Sequence, residues 1–249
     1  MKLSHATWQE AQASIARTPG IILPTGSTEQ HGPMGMIGTD TICADEIATA
    51  AAIEVGCLVA PPFAYTPAPF NMDFPGTISI SPEVFARLFT EVALSIRHHG
   101  FALLYVLNGH GANLDPLRQA ASEIDGLTIR IRSWWDFEAV NVLRREFYGA
   151  WEGMHATPSE IAITQATHRI IPPGEAATPP RRLSPEYIAA HAGDRHGPPA
   201  EHRRDFPDGR VGSHSALARP EHGSALSSAA TKAVAEDFTT TLTRVTKSD

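Results

Sequence analysis

Residues able to do chemistry crowd into one short glycine- and proline-rich stretch. From Ile21 to Asp40 the chain reads Ile-Ile-Leu-Pro-Thr-Gly-Ser-Thr-Glu-Gln-His-Gly-Pro-Met-Gly-Met-Ile-Gly-Thr-Asp. Glu29 and His31 are two apart and project to the same side of an extended backbone. The glycines that follow permit tight turns, so Asp40 can fold back to join them. Carboxylate, imidazole and carboxylate form a ligand set suited to zinc or manganese. The same residues have a plainer use, because Thr39 or Asp40 can cap the helix that follows.

Two further sites hold groups of this kind. The apolar run Phe101–Leu107 reads as a buried parallel strand and ends in Asn108-Gly109-His110-Gly111-Ala112-Asn113. That places His110 at the carboxyl end of a strand, where open α/β sheets hold their ligands. Further on, His155-Ala156-Thr157-Pro158-Ser159-Glu160 predicts a helix with Thr157 as cap, Pro158 at its first position and Glu160 closing a capping box. The box explains Glu160 on local grounds and aims it, with His155, at one helix end.

The elements that must position these groups alternate. Helices are predicted over residues 6–17, 42–54, 82–98, from Leu114 onward and over 224–246. Strands are predicted at 20–24, 57–60, 101–107 and 127–131. Such alternation argues for a mostly parallel sheet with helices on both faces, in one domain spanning 1–249. Residues 63–80, rich in proline and aromatics, border a pocket or form an irregular loop packed by their own phenylalanines. From 171 to 223 prolines, arginines and histidines accumulate, which predicts a long excursion with at most one short helix near 184–191. Its histidines (His191, His196, His202, His214, His222) lack ligand spacing and read as solvated, as do the basic pairs Arg144–Arg145, Arg181–Arg182 and Arg203–Arg204.

Composition narrows the function classes. The net charge of −7 argues against a nucleic-acid surface. No run approaches the ~20 apolar residues needed to span a bilayer, and the N-terminus has no signal-like apolar region. Cys43 and Cys57 fall in apolar surroundings and read as buried, reduced thiols. The expectation is a cytoplasmic globular protein acting on a small molecule.

Four separated segments together resemble the creatininase family of metal-dependent amidohydrolases. They are Gly-Ser-Thr-Glu-Gln-His-Gly-Pro with Gly-Thr-Asp (26–33, 38–40), Phe-Pro-Gly-Thr-Ile-Ser (74–79), Asn-Gly-His-Gly-Ala-Asn (108–113) and His-Ala-Thr-Pro-Ser-Glu (155–160). The resemblance implies a three-layer α/β/α sandwich, two divalent ions per chain and a homo-oligomer, usually a hexamer; the 171–223 excursion, by its length, either wraps a neighbouring subunit or roofs a pocket. Carried over by position, it places Glu29 and His110 on one ion, His31 and Glu160 on the other, and Asp40 between them. It makes His155 the proton shuttle beside the ligand Glu160, and Trp135 and Trp151 walls of the substrate pocket, with Phe70 and Asn71 in the 67–72 lining. Zinc and manganese are the expected ions, with iron accepted by the same donors.

The implied reaction is hydrolysis of a C–N bond in a small cyclic amide or formamide-like compound by metal-activated water. Its rivals are hydrolysis of a small peptide or of a ring C–C bond beside a ketone, and a non-catalytic binding protein on the same fold. Three departures from the family pattern stand out. Creatinine amidohydrolase has a glutamate ligand where this chain has Ala112. A Gly-x-Ser-x-Glu-His loop common in the family is replaced by the more apolar Pro67–Met72, and His-Ala-Gly becomes His-Ala-Thr.

Overall fold

The computed structural model describes residues 1–247. Four strands, β1 (Gly20–Thr25), β2 (Leu58–Val59), β3 (Leu103–Asn108) and β4 (Thr128–Ser133), form a wholly parallel sheet in the order β2-β1-β3-β4. Side chains alternate across it, as the two-residue period of a strand requires. Ile22, Val59, Leu103, Tyr105 and Leu107 face one way, while Ile21, Leu23, Leu58, Leu104 and Val106 face the other.

Each face is covered by helices. On the first lie α2 (Thr39–Val55), α5 (Glu138–Phe147), α6 (Pro158–Thr167) and the long α9 (Pro220–Lys247), packing through Cys43, Ile47, Val140, Ile163 and the stripe Leu226, Ala230, Val234, Phe238. On the second lie α1 (Trp8–Arg17), α3 (Pro82–His98) and α4 (Leu114–Ser122), through Ile15, Phe85, Phe89 and Leu117. The result is the three-layer α/β/α arrangement expected from the alternation. The chain runs from β1 to β2 on one side and returns to β3 on the other, so the β1–β3 boundary is the switch point at which ligand sites form in such sheets.

Four local expectations need correction. Helix α2 begins at Thr39, and neither Thr39 nor Asp40 caps it; Gly38 occupies the cap position with no side-chain bond. This frees the Asp40 carboxylate for other partners. Helix α5, not foreseen, follows a capping box between Ser133 and Asp136 and anchors itself through buried Val140. The excursion holds α7 (Pro185–Ala190) and a second short helix, α8 (Pro199–Asp205). Helix α9 begins at Pro220 rather than 224, since proline is tolerated in a first helical turn. Among the described residues no helix is long and apolar enough to cross a membrane.

Candidate metal centre

Every group singled out from the sequence as a metal ligand converges at the carboxyl ends of β1 and β3. Glu29 and His31 leave β1 in the loop before α2, Asp40 sits in the first turn of α2, His110 follows β3, and Glu160 starts α6. The approach is close. A Cβ added at Gly109 would lie 2.4 Å from the Asp40 carbonyl oxygen, so only glycine lets the β3 loop meet α2 there.

Asp40 is the hub. Its Oδ1 lies 2.9 Å from His31 Nε2, and its Oδ2 lies 3.0 Å from His110 Nδ1 and accepts a hydrogen bond from Ser27 Oγ at 2.8 Å. Glu29 Oε1 stands 3.1 Å from His110 Nδ1, and Glu160 Oε1 stands 3.9 Å from His31 Nε2. Among the described residues, three groups have ligand atoms all within 4.8 Å of one another: Glu29, Asp40 and His110; His31, Asp40 and Glu160; and Glu29, His31 and His155.

Backbone contacts orient both imidazoles. His110 Nε2 donates to the Pro67 carbonyl at 2.7 Å, leaving Nδ1 toward Glu29 and Asp40. His31 Nδ1 donates to the Glu29 carbonyl at 3.1 Å, leaving Nε2 toward Asp40 and Glu160. Metal-ligating histidines typically use one ring nitrogen in this way while the other binds.

The site is strongly charged and buried. Burial alone would lower the His31 pKa, but Asp40, Glu160 and Glu29 outweigh it and raise it to about 10. His110 is likewise held well above its ordinary value, with Glu29 and Asp40 overcoming burial. Asp40 lies well below the carboxylate range despite its burial, because His31 and His110 face it. Burial, reinforced by Asp40 and Glu152, pushes Glu160 up to about 8 against the opposing pull of His31. Protonated imidazoles thus stand where cations would neutralise the carboxylates. Glu29 Oε1, on a side chain with no exposure to solvent, makes no hydrogen bond and faces the His110 imidazole at 3.1 Å. A buried orphaned carboxylate oxygen is costly unless a cation meets it, so the residues present fit a divalent ion.

His155 sits beside the candidate ligands in a different state. Burial and the neighbouring His31 charge hold it well below its ordinary pKa, so the ring is neutral. Its Nε2 lies 2.7 Å from the Gln30 carbonyl, and its Nδ1 lies 3.7 Å from Glu29 Oε1. The next residue, Ala156, has a left-handed φ of 56°, uncommon outside glycine. Ser215 Oγ, donating to the Ala156 carbonyl at 2.6 Å, and the pairing of His155 with Val211 hold that turn.

Glu160 keeps the predicted capping box: Thr157 Oγ1 accepts from the Glu160 amide, and Glu160 Oε1 accepts from the Thr157 amide at 2.5 Å. Both cysteines are buried and free, and burial pushes the Cys57 thiol up to about 12, which leaves no ready thiolate.

A cavity of about 160 Å³ opens onto this centre, lined by Asp40, His110, Trp135, Met154, His155 and Glu160 among others. Trp135 lines this cavity. Trp151 does not line it; its ring lies against His214 and under the Arg182 guanidinium, 4.1 Å from the ring centre. Phe70 and Asn71 lie behind the candidate ligands instead of lining the cavity. Asn71 donates to Glu29 Oε2 at 3.0 Å, and Phe70 packs against the rings of His110, His155, His196 and His202. A larger apolar groove of about 1140 Å³, beside α1 and α3, carries none of the candidate ligands.

Several participants escaped the sequence reading. Gln30 links Asn71, His155 and the Gly209 carbonyl, although it lies inside the Glu-Gln-His motif. Arg144, expected to be solvated, lines the cavity while bound to Glu152 at 2.9 Å. The excursion is not a solvated loop near the site: the His196 and His202 side chains are buried on Phe70, and Asp194 reaches the cavity. No ligand-like spacing marks these residues, because their partners are remote in the chain.

Comparison with known proteins agrees with the geometry. The family model described as creatinine amidohydrolase matches residues 4–238. The chain belongs to the creatininase family. A mycofactocin precursor peptide peptidase from Mycobacterium ulcerans is 38% identical over 115 residues, covering 43% of this chain and 46% of that protein. A 3-dehydro-scyllo-inosose hydrolase from Thermotoga maritima is 34% identical over 106 residues, covering 42% and 34% respectively. The chain thus spans less than half the length of the curated relatives it matches. Crystal structures of creatininases share the fold: one of creatinine amidohydrolase has a TM-score of 0.74 at 22% identity, covering 95% of both chains. Another, described as a manganese form, has the same TM-score and identity, covering 95% of this chain and 96% of that one.

Proposed function

We propose that this protein is a metal-dependent hydrolase that cleaves a C–N bond of a small cyclic amide or formamide-like compound. The observation that carries this reading is the sharing of Asp40, which turns one oxygen to each of two overlapping donor groups. Glu29, Asp40 and His110 would hold one ion, and His31, Asp40 and Glu160 the other, with zinc and manganese the ions that suit such donors. A divalent pair so held supplies a water of lowered pKa and polarises the carbonyl under attack.

The remaining chemistry belongs to the chain itself. His155, neutral and fixed by the Gln30 carbonyl, takes up a proton at Nδ1 and delivers it to the departing nitrogen. Trp135 and Met154 wall the cavity, limiting water and orienting a flat substrate. Gln30 and Asn71 steady His155 and Glu29 from behind.

The likeness to a peptide peptidase and to an inosose hydrolase favours a second reading, in which the bond is a peptide or lies in a ring ketone. The cavity of about 160 Å³ supports a compound of few atoms over a peptide. Lactams, cyclic ureas, formamides, short peptides and cyclic polyol ketones should be screened with zinc and with manganese. Chelator-sensitive turnover of a cyclic amide or formamide is expected; turnover confined to peptides or ring ketones would replace the first reading with the second.

A further inference from the structure

We propose that Asp194 belongs to the metal centre, completing from the cavity side the surroundings of the ion that Glu29, Asp40 and His110 would hold. The inference rests on the two-metal reading above and adds a carboxylate to it from the excursion.

Asp194 comes from a part of the chain with no ligand-like spacing, yet it points at the ligands. Its Oδ2 lies 3.7 Å from His110 Nδ1 and accepts a hydrogen bond from the Ala112 amide at 3.1 Å, across 82 residues of sequence. At this separation the carboxylate faces the ligand atom of His110 as an outer partner, and such outer partners contribute to metal affinity. The same His110 nitrogen faces Glu29 Oε1, the buried oxygen without a hydrogen bond. Asp194 thus brings a further negative charge beside the His110 nitrogen that would meet this ion, from outside the group formed by Glu29, Asp40 and His110.

The local backbone is shaped to deliver this carboxylate. Gly193 and Asp194 have consecutive left-handed φ values of 77° and 56°, a conformation unfavourable for a non-glycine residue that persists only where the surroundings enforce it. Arg195, paired with Asp115 at 2.9 Å, and His196, packed on Phe70 at 4.8 Å, pin the flanking residues. The receiving loop has been cleared as well. A Cβ at Gly111 would stand 2.3 Å from Asp194 Oδ2, and position 112 carries only a methyl group. The carboxylate occupies the space that a side chain at position 111 would fill.

A backbone cap for Ala112 would give the same hydrogen bond without any metal role, and Asp194→Asn separates the two. Asparagine keeps an acceptor for the amide and tolerates the left-handed backbone, but it removes the charge. Zinc and manganese affinities are measured by chelator competition on wild type, Asp194→Asn and Glu160→Gln, with hydrogen exchange of residues 191–197 followed in the presence and absence of ion. Expected are two ions per wild-type chain and a loss of about 10–100-fold in the affinity of one ion in Asp194→Asn. Glu160→Gln should weaken the other ion, and added metal should slow exchange at 191–197 in wild type but not in Asp194→Asn. Should Asp194→Asn fail to fold, Gly111→Ala displaces the carboxylate while leaving it charged, and the same selective loss is expected. Two ions bound at wild-type affinity by either variant would reduce Asp194 to a cap and leave the metal reading intact. A wild-type chain that binds no ion would remove both.

Discussion

Asp40 and His155 lie in the same buried site and do opposite things there. Asp40 is held as a carboxylate between two imidazoles, while His155 is held neutral by burial and by the positive His31 beside it. On the proposed reading, the contrast separates a metal ligand from a proton carrier. Because backbone pairing with Val211 and Gly212 secures the 155–156 turn, His155→Ala should fold and keep its metal. Its turnover should fall by about 10²–10⁴-fold, the usual worth of a positioned acid or base. Metal retention with unchanged turnover would deny His155 that role. At this scale the sequence was informative where donors are close in the chain, as Glu29, His31 and Asp40 are. It was silent on Gln30, whose role depends on Asn71, His155 and Gly209 meeting in space, and it misplaced Trp151, which the fold turns toward His214 and Arg182.

Elements set how firmly those side chains are held. Helix α6 starts with the box between Thr157 and Glu160, so the residue that caps the helix also faces His31. Thr157→Ala should cost about 1 kcal/mol, read as a lower urea midpoint, and should loosen Glu160. An unchanged midpoint would show that packing alone holds the helix. The excursion over the site depends on His202, whose pKa burial lowers to about 4, with Asp205 opposing. The groups around it are Phe70, Phe206, His196 and Asp205. An unfolded chain takes up this proton near pH 6.5, whereas the folded chain refuses it until about 4. The unfolded state therefore binds more protons in between, and stability complete above about 6.5 is lost as pH falls toward 4. Limited proteolysis within 185–206 should rise between about pH 7 and about pH 4.5, and His202→Leu should blunt that rise. A pH-independent cleavage rate would rule the histidine out as the cause. Sequence periodicity could not reveal this helix: α8 is seven residues long, and what buries His202 is Phe70, far away in the chain.

For the whole molecule, alternating strands and helices made the layered architecture legible, because a parallel sheet buried on both faces demands continuous apolar strands such as 103–108. The path of residues 171–223 was not legible, since it is fixed by docking onto the site and not by a pattern of its own. The homo-oligomer implied by the family is a proposal for this chain, favoured by the exposed apolar side chains Trp8, Val84 and Leu88 on α1 and α3. Light scattering should give a multiple of 26.8 kDa, and a mass of 26.8 kDa would contradict it. The central claim is that Asp40 is shared by two divalent ions, and elemental analysis of purified wild type and Asp40→Asn tests it most directly. The account predicts about two zinc or manganese ions per wild-type chain and loss of both in the variant. A wild-type chain free of metal, or an Asp40→Asn chain that keeps both ions, would contradict it.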